Sequence, residues 1–169
     1  YGGGAFTVAG ERAWFSNDSD QRIYAVVAGE LPRAVTPEGP WRYADARYDA
    51  FRDRLICVRE THAPDGREPV NEVVAVALAD GVVTVLATGH DFYASPRLSA
   101  DGQALAYLSW DHPQMPWDGT DLWQVRLHAD GTWEPAQHIA GGSEEAVAQP
   151  LWSPDGTLYF ISDRTGWWN

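Results

Sequence analysis

The chain has 169 residues, 44% hydrophobic and 12% aromatic, and 12 basic residues, all arginine, against 24 acidic ones give a formal charge of −12. That balance, with no basic cluster, argues against nucleic acid or an anionic membrane as partner, and no apolar run approaches the ~20 residues of a membrane span. The single cysteine, Cys57, rules out an intramolecular disulfide framework and a cysteine-based zinc site; a reducing compartment, the cytoplasm, is expected.

Short valine-rich apolar runs, broken by Gly, Pro and Asp, predict strands rather than helices. In chain order the first group covers 5–8, 12–16, 22–27 and 33–36. A second covers 43–49, 54–60, 72–78 and 82–88, and a third 92–99, 104–110, 121–127 and 136–140. Two more strands, 148–152 and 157–162, complete the series. The third strand of the third group alternates cleanly, with Trp123, Val125 and Leu127 on one side and Gln124 and Arg126 on the other. The denser runs, such as 73–78, suit strands covered on both faces. Residues 143–149 offer one helical turn at most, so the class is all-β.

A sequence repeat organises these strands. Pro96-Arg97-Leu98-Ser99-Ala100-Asp101-Gly102 recurs as Pro150-Leu151-Trp152-Ser153-Pro154-Asp155-Gly156. A degenerate copy starts at Ala46-Arg47-Tyr48-Asp49. The Ser-x-Asp-Gly core is turn chemistry, with an aspartate that bonds nearby backbone N–H groups and a glycine that takes a positive φ. Four-stranded units at roughly 50-residue spacing are the signature of β-propeller blades. The expected blades are 1–40, 41–90, 91–142 and a half-blade 143–169, about three and a half in all. A 14-stranded sandwich is the structural rival, but it has no reason to repeat its turn at blade spacing. Closed propellers have ~4–8 blades, so the chain is expected to be a fragment whose exposed blade edges promote self-association.

Several stretches resemble the propeller of the prolyl oligopeptidase family of serine peptidases, in its acylaminoacyl-peptidase and dipeptidyl-aminopeptidase-like bacterial branch. They are Tyr1-Gly2-Gly3-Gly4-Ala5-Phe6, Arg42-Tyr43-Ala44-Asp45, Glu68-Pro69-Val70-Asn71-Glu72, Ser162-Asp163-Arg164-Thr165-Gly166-Trp167-Trp168-Asn169 and, most specifically, Trp110-Asp111-His112-Pro113-Gln114-Met115-Pro116-Trp117-Asp118-Gly119-Thr120. The resemblance implies an N-terminal propeller that caps a C-terminal α/β-hydrolase domain and restricts access to short peptides. That hydrolase domain would hold the Ser-Asp-His triad. Here no Gly-x-Ser-x-Gly nucleophile elbow occurs; Gly141-Gly142-Ser143-Glu144-Glu145 lacks the second glycine. The chain is therefore expected to carry no catalytic residue and to need no cofactor. Its expected partners are the hydrolase domain and short peptides.

The connection 110–120 is the candidate substrate-facing loop, in which Trp110, Met115 and Trp117 offer apolar contacts and Asp111, His112 and Asp118 polar ones. The competing reading is a structural loop fixed by Pro113 and Pro116, its tryptophans packed inward. Five histidines (62, 90, 112, 128 and 138) lack the spacing of metal ligands and read as hydrogen-bonded loop residues. Asp101 and Asp155 are explained by their turns, and Cys57 by the apolar core. Arg59, Glu60 and His62 open a second long connection, 60–71. A non-catalytic TolB-like binding propeller is the alternative function; a metal-dependent lactone or sugar hydrolase would need a ligand set that the sequence does not offer.

Overall fold

The computed structural model describes residues 4–169; Tyr1, Gly2 and Gly3, which open the family resemblance, lie outside the described residues. Among the described residues there are fourteen strands and no helix. They form antiparallel meanders in chain order. The first sheet holds β1 (Phe6–Ala9), β2 (Arg12–Ser16), β3 (Ile23–Val27) and β4 (Arg33–Ala34), and the second β5 (Trp41–Asp49), β6 (Arg54–Thr61), β7 (Val70–Ala77) and β8 (Val83–Ala87). The third holds β9 (Phe92–Leu98), β10 (Ala104–Trp110), β11 (Thr120–Arg126) and β12 (Gln137–Gly142), and the fourth pairs β13 (Val147–Trp152) with β14 (Leu158–Ser162). This is a partial all-β propeller.

The chain divides into two compact units, residues 1–89 and 90–169. In the first, sheets one and two enclose a core of Trp14, Ile23, Tyr43, Leu55, Cys57, Val74, Val76 and Leu78. Leu55, Ile56, Val73, Val74 and Val76 are fully buried, which explains why β6 and β7 read as continuous apolar runs. Burying each such side chain contributes about 1.5–3 kcal/mol before entropy is counted. Polar contacts fix how the two sheets meet. Trp14 stacks on Tyr48 with centroids 4.8 Å apart, Arg12 donates to the Tyr48 hydroxyl at 2.7 Å, and Ser16 Oγ donates to the Tyr43 carbonyl at 2.6 Å.

In the second unit, Ala106, Leu108, Leu122 and Val147 form the core, with Trp152, Leu158 and Phe160 packed against it. Trp152 Nε1 donates to the Arg97 carbonyl at 2.9 Å, tying the fourth sheet to the third.

The repeated turns close as their chemistry requires. Ser99 Oγ donates to Asp101 Oδ1 at 2.6 Å, and that oxygen accepts from Gln103 N at 3.0 Å while Gly102 takes φ +68°. Ser153, Asp155 and Gly156 repeat the arrangement. A second repeat lies upstream of these turns. Asp45, Ser95 and Gln149 all take positive φ, at 53°, 53° and 54°. Each sits where the pairing of β5 with β6, β9 with β10 or β13 with β14 shifts register. The first strand of each hairpin thus carries a bulge directly after an alanine (Ala44, Ala94, Ala148).

The last strand of the first sheet is shorter than its sequence suggests. β4 stops at Ala34 because Thr36 replaces ladder pairing with its side chain, its Oγ1 accepting from Ile23 N at 3.0 Å. The second sheet is longer: Trp41, Thr61 and Val70 are in register, so the connection predicted over 60–71 contracts to 62–69.

Candidate functional site

The predicted loop begins one residue later than expected. Trp110 ends β10, is 8% exposed and stacks on Phe92 at 5.3 Å. It anchors the loop from below.

Asp111 and His112 join a reciprocal clamp with the start of β9. Asp111 Oδ2 meets His90 Nδ1 at 2.8 Å, and its Oδ1 accepts from Asp91 N at 2.6 Å. In return, Asp91 Oδ2 accepts from His112 N at 2.9 Å and meets His112 Nδ1 at 3.0 Å. The backbone N–H of His112 is the main cause, and its ring the next, of an Asp91 carboxyl held below the ordinary aspartate range. The mirror-symmetric sequence His90-Asp91-Phe92 and Trp110-Asp111-His112 generates the arrangement. Phe92 pairs with Trp110 across the antiparallel ladder, so the flanking acids and imidazoles meet their counterparts. The palindrome was the available signal for His90 and Asp91, which reading the loop alone misses.

A third imidazole–carboxylate pair lies at the same end of this sheet. His138 Nε2 meets Asp121 Oδ1 at 2.7 Å, and the His138 ring packs edge-on to Trp123 at 5.1 Å. Trp123 Nε1 donates to Ser109 Oγ at 2.8 Å, and its other neighbour is the His90 ring at 5.7 Å. Ser109 is fully buried and its hydroxyl accepts from an indole, which suits it to packing rather than nucleophilic attack. His62 and His128 also face carboxylates, Glu60 at 3.0 Å and Glu134 at 3.6 Å. Among the described residues no group of three His, Cys, Asp or Glu side chains could hold a metal ion.

The rest of the loop is a tight, self-bonded turn. The His112–Pro113 peptide is cis. Asp118 Oδ2 accepts from Met115 N at 3.2 Å, Asp118 N donates to the Met115 carbonyl at 2.9 Å, and Thr120 Oγ1 donates to the Pro116 carbonyl at 2.6 Å. Gln114 Nε2 reaches the Ser143 carbonyl at 3.2 Å. Gly119 lies against the next connection, where a Cβ would come within 2.6 Å of the Gly142 carbonyl oxygen. Of the six candidate residues, Trp110 is therefore packing, Asp111 and His112 form the clamp, and Asp118 closes the turn. Met115 and Trp117, 45% and 62% exposed, are the side chains that this scaffold presents outward.

Neither a family model nor a curated protein sequence matches the chain. Solved structures do. Over its whole length the chain superposes on a Mycobacterium tuberculosis puromycin-hydrolyzing peptidase at 34% identity with a TM-score of 0.87. A puromycin hydrolase matches at 35% identity with a TM-score of 0.91. The chain spans 29% of the length of each. A TolB from Agrobacterium tumefaciens, at 16% identity with a TM-score of 0.60, shares the fold over 90% of this chain and 54% of its own. That likeness concerns the fold alone, whereas the two peptidases also share about a third of their residues with this chain over its whole length. The chain is a propeller segment of the prolyl oligopeptidase family, the family its loop and turn sequences resemble.

Proposed function

We propose that this chain is the access-restricting part of a serine peptidase that acts on short peptides, working with an α/β-hydrolase domain that supplies the nucleophile, its base and the oxyanion donors. The observation that carries this reading is the full-length match to puromycin-hydrolyzing peptidases, of which the chain corresponds to 29%. The internally hydrogen-bonded loop 111–119 supports a gating role. Selection by size needs a wall that does not yield, and the double His–Asp clamp and the Asp118 turn hold Met115 and Trp117 in place.

Exposed apolar faces support a place among further sheets. Phe6 and Val8 on β1, and Leu151 and Tyr159 on the fourth sheet, are more than half exposed. They suit contact with neighbouring blades or, failing those, with a second copy of the chain. The buried lone cysteine suits a reducing, cytoplasmic setting.

Expressed in its full reading frame, the protein is expected to cleave aminoacyl or acylaminoacyl chromogenic substrates and short peptides, but not folded proteins. No cleavage, with the hydrolase serine intact, would remove the peptidase reading. Equal cleavage of a folded protein and a short peptide would remove the gating role while leaving the peptidase reading in place.

A further inference from the structure

The loop does not account for a cavity of about 620 Å³ within the first unit, lined by Arg22, Trp41, Tyr43, Arg59 and the apolar surface of Val35, Pro37, Val82 and Val83. Thr36, Asp80 and Gly81 complete the lining. Tyr43 is 5% exposed and its buried hydroxyl has no hydrogen-bond partner. Burial raises the pKa of this phenol above its usual value, against the pull of the Arg59 guanidinium, so near neutral pH it is a donor in search of an acceptor.

Both arginines are partly engaged within the protein. Arg59 gives Nε and Nη2 to Glu72 Oε2, at 3.1 and 2.5 Å, and its guanidinium lies 5.9 Å from the Trp41 ring centroid. The same guanidinium lies beside the Tyr43 hydroxyl and works against the burial that raises its pKa. Arg22 gives Nε to the Thr36 carbonyl at 2.7 Å, while its Nη1 reaches no closer than 3.6 Å to Glu38, a residue 86% exposed on its side chain.

The acceptors nearby are occupied or solvated. Glu72 is held by Arg59, and Asp80 accepts from Val82 N at 3.0 Å in an exposed turn. The two guanidinium groups thus share this cavity with an apolar surface. We propose that it binds a carboxylate carried on an apolar body, with the carboxylate between Arg22 and Arg59 in front of the Tyr43 hydroxyl and the body against Trp41, Val35 and Val82. A planar carboxylate matches the arginine fork, and an apolar body replaces water on the valine and tryptophan surface.

Titration of the protein expressed in its full reading frame with N-acetyl-L-phenylalanine and with N-acetyl-L-phenylalaninamide, by calorimetry and by indole shifts in NMR, tests this directly. The acid is expected to bind, to shift the Trp41 indole, and to bind about tenfold more tightly than the amide, as charge-assisted hydrogen bonds warrant. Arg22→Gln is expected to remove that preference, and Tyr43→Phe to weaken the acid with little effect on the amide. Arg22 lies at the cavity rim, so its variant is expected to stay folded, checked by circular dichroism. Equal affinity for acid and amide, binding of the acid unaltered by Arg22→Gln, or no binding at millimolar acid to the folded chain would each overturn the proposal.

Discussion

Asp91 and His112 are joined twice through one oxygen: Asp91 Oδ2 accepts from the His112 backbone N–H at 2.9 Å and meets its ring Nδ1 at 3.0 Å. Because Asp111 answers with two bonds to residues 90 and 91, the loop is closed at its neck from both sides. The aspartates fix the backbone, and the aromatic rings of Phe92 and Trp110 fill the space beneath.

Replacing Asp91 by alanine is expected to free the neck of the loop. The Asp91 side chain is half exposed, so the global cost is on the order of 1 kcal/mol or less. The local effect is larger: amides of 111–119 are expected to exchange faster and the loop to be cut sooner by a protease. The pH dependence follows from the sign of the shift. The folded-state pKa of Asp91 lies below its unfolded value, so its contribution is complete above the unfolded pKa and disappears as pH falls through the folded one. Loop protection should therefore persist on acidification until the pH is below the ordinary aspartate range. Hydrogen exchange measured across pH 2–6 checks it, and Asp91→Asn should lose that dependence.

Gly141 is set where β11 and β12 pair, with φ +99° and no room for a side chain, since a Cβ would lie 1.8 Å from the Thr120 carbonyl oxygen. Gly141→Ala combines a forbidden backbone conformation with a backbone clash. It is expected to cost about 3 kcal/mol or more. Urea unfolding checks the number, and loss of the Asp121–Gly141 register in NMR would localise it.

Much of the fold was legible because it is written in local chemistry. The Ser-x-Asp-Gly turns at 99–102 and 153–156 need only neighbouring residues to form, so their repeat announces two hairpins without knowledge of anything distant. The alternation of 121–127 and the valine runs of the second sheet are equally direct. The bulges at Asp45, Ser95 and Gln149 were hidden because an aspartate, a serine and a glutamine share no side-chain signature; the backbone conformation repeats while the residue does not. The candidate loop was legible as a unit, but its division of labour was not. Whether Trp110 packs and Trp117 projects depends on the last pairing of the β9–β10 ladder, and that register also brings His90 and Asp91, twenty residues earlier, into the site. The palindrome His-Asp-Phe and Trp-Asp-His is informative only once an antiparallel pairing centred between them is supposed. The arginine-lined cavity has no sequence signal, because Arg22, Trp41 and Arg59 come together through two sheets packing rather than through spacing.

Cys57 is expected to be chemically silent in the folded protein. It is fully buried on β6, and burial, the largest cause, pushes its thiol pKa up to about 12 despite the nearby Arg59 charge. A disulfide reagent at pH 8 should react at the rate of global or local opening, and promptly in denaturant. Stoichiometric reaction within seconds under native conditions would contradict the core placement. Cys57→Ser should destabilise the chain by about 1–3 kcal/mol, because its hydroxyl would be buried among Tyr43, Leu55 and Val74 without a designed partner.

The degenerate copy of the repeated turn moves its carboxylate to another position and pairs it with arginines. Where the third sheet has Ser99 and Ala104, the second has Asp49 and Arg54. Asp49 is fully buried, meeting Arg54 Nε at 2.9 Å and Arg52 Nη1 at 3.1 Å, and its other oxygen accepts from Phe51 N at 3.2 Å. One carboxylate thus serves two guanidinium groups and the turn itself, and Arg54 Nη2 is left buried with no partner. Asp49→Ala should be the most damaging single change among these, at about 3–5 kcal/mol, because it strands two largely buried cations. The double variant Asp49→Ser with Arg54→Ala removes one of the two stranded cations and offers the turn a hydroxyl, and is expected to recover part of that loss. Chemical denaturation of the wild type, the single and the double variant forms the test. A double variant no more stable than Asp49→Ala would show that stranding Arg54 is not what makes the single change costly.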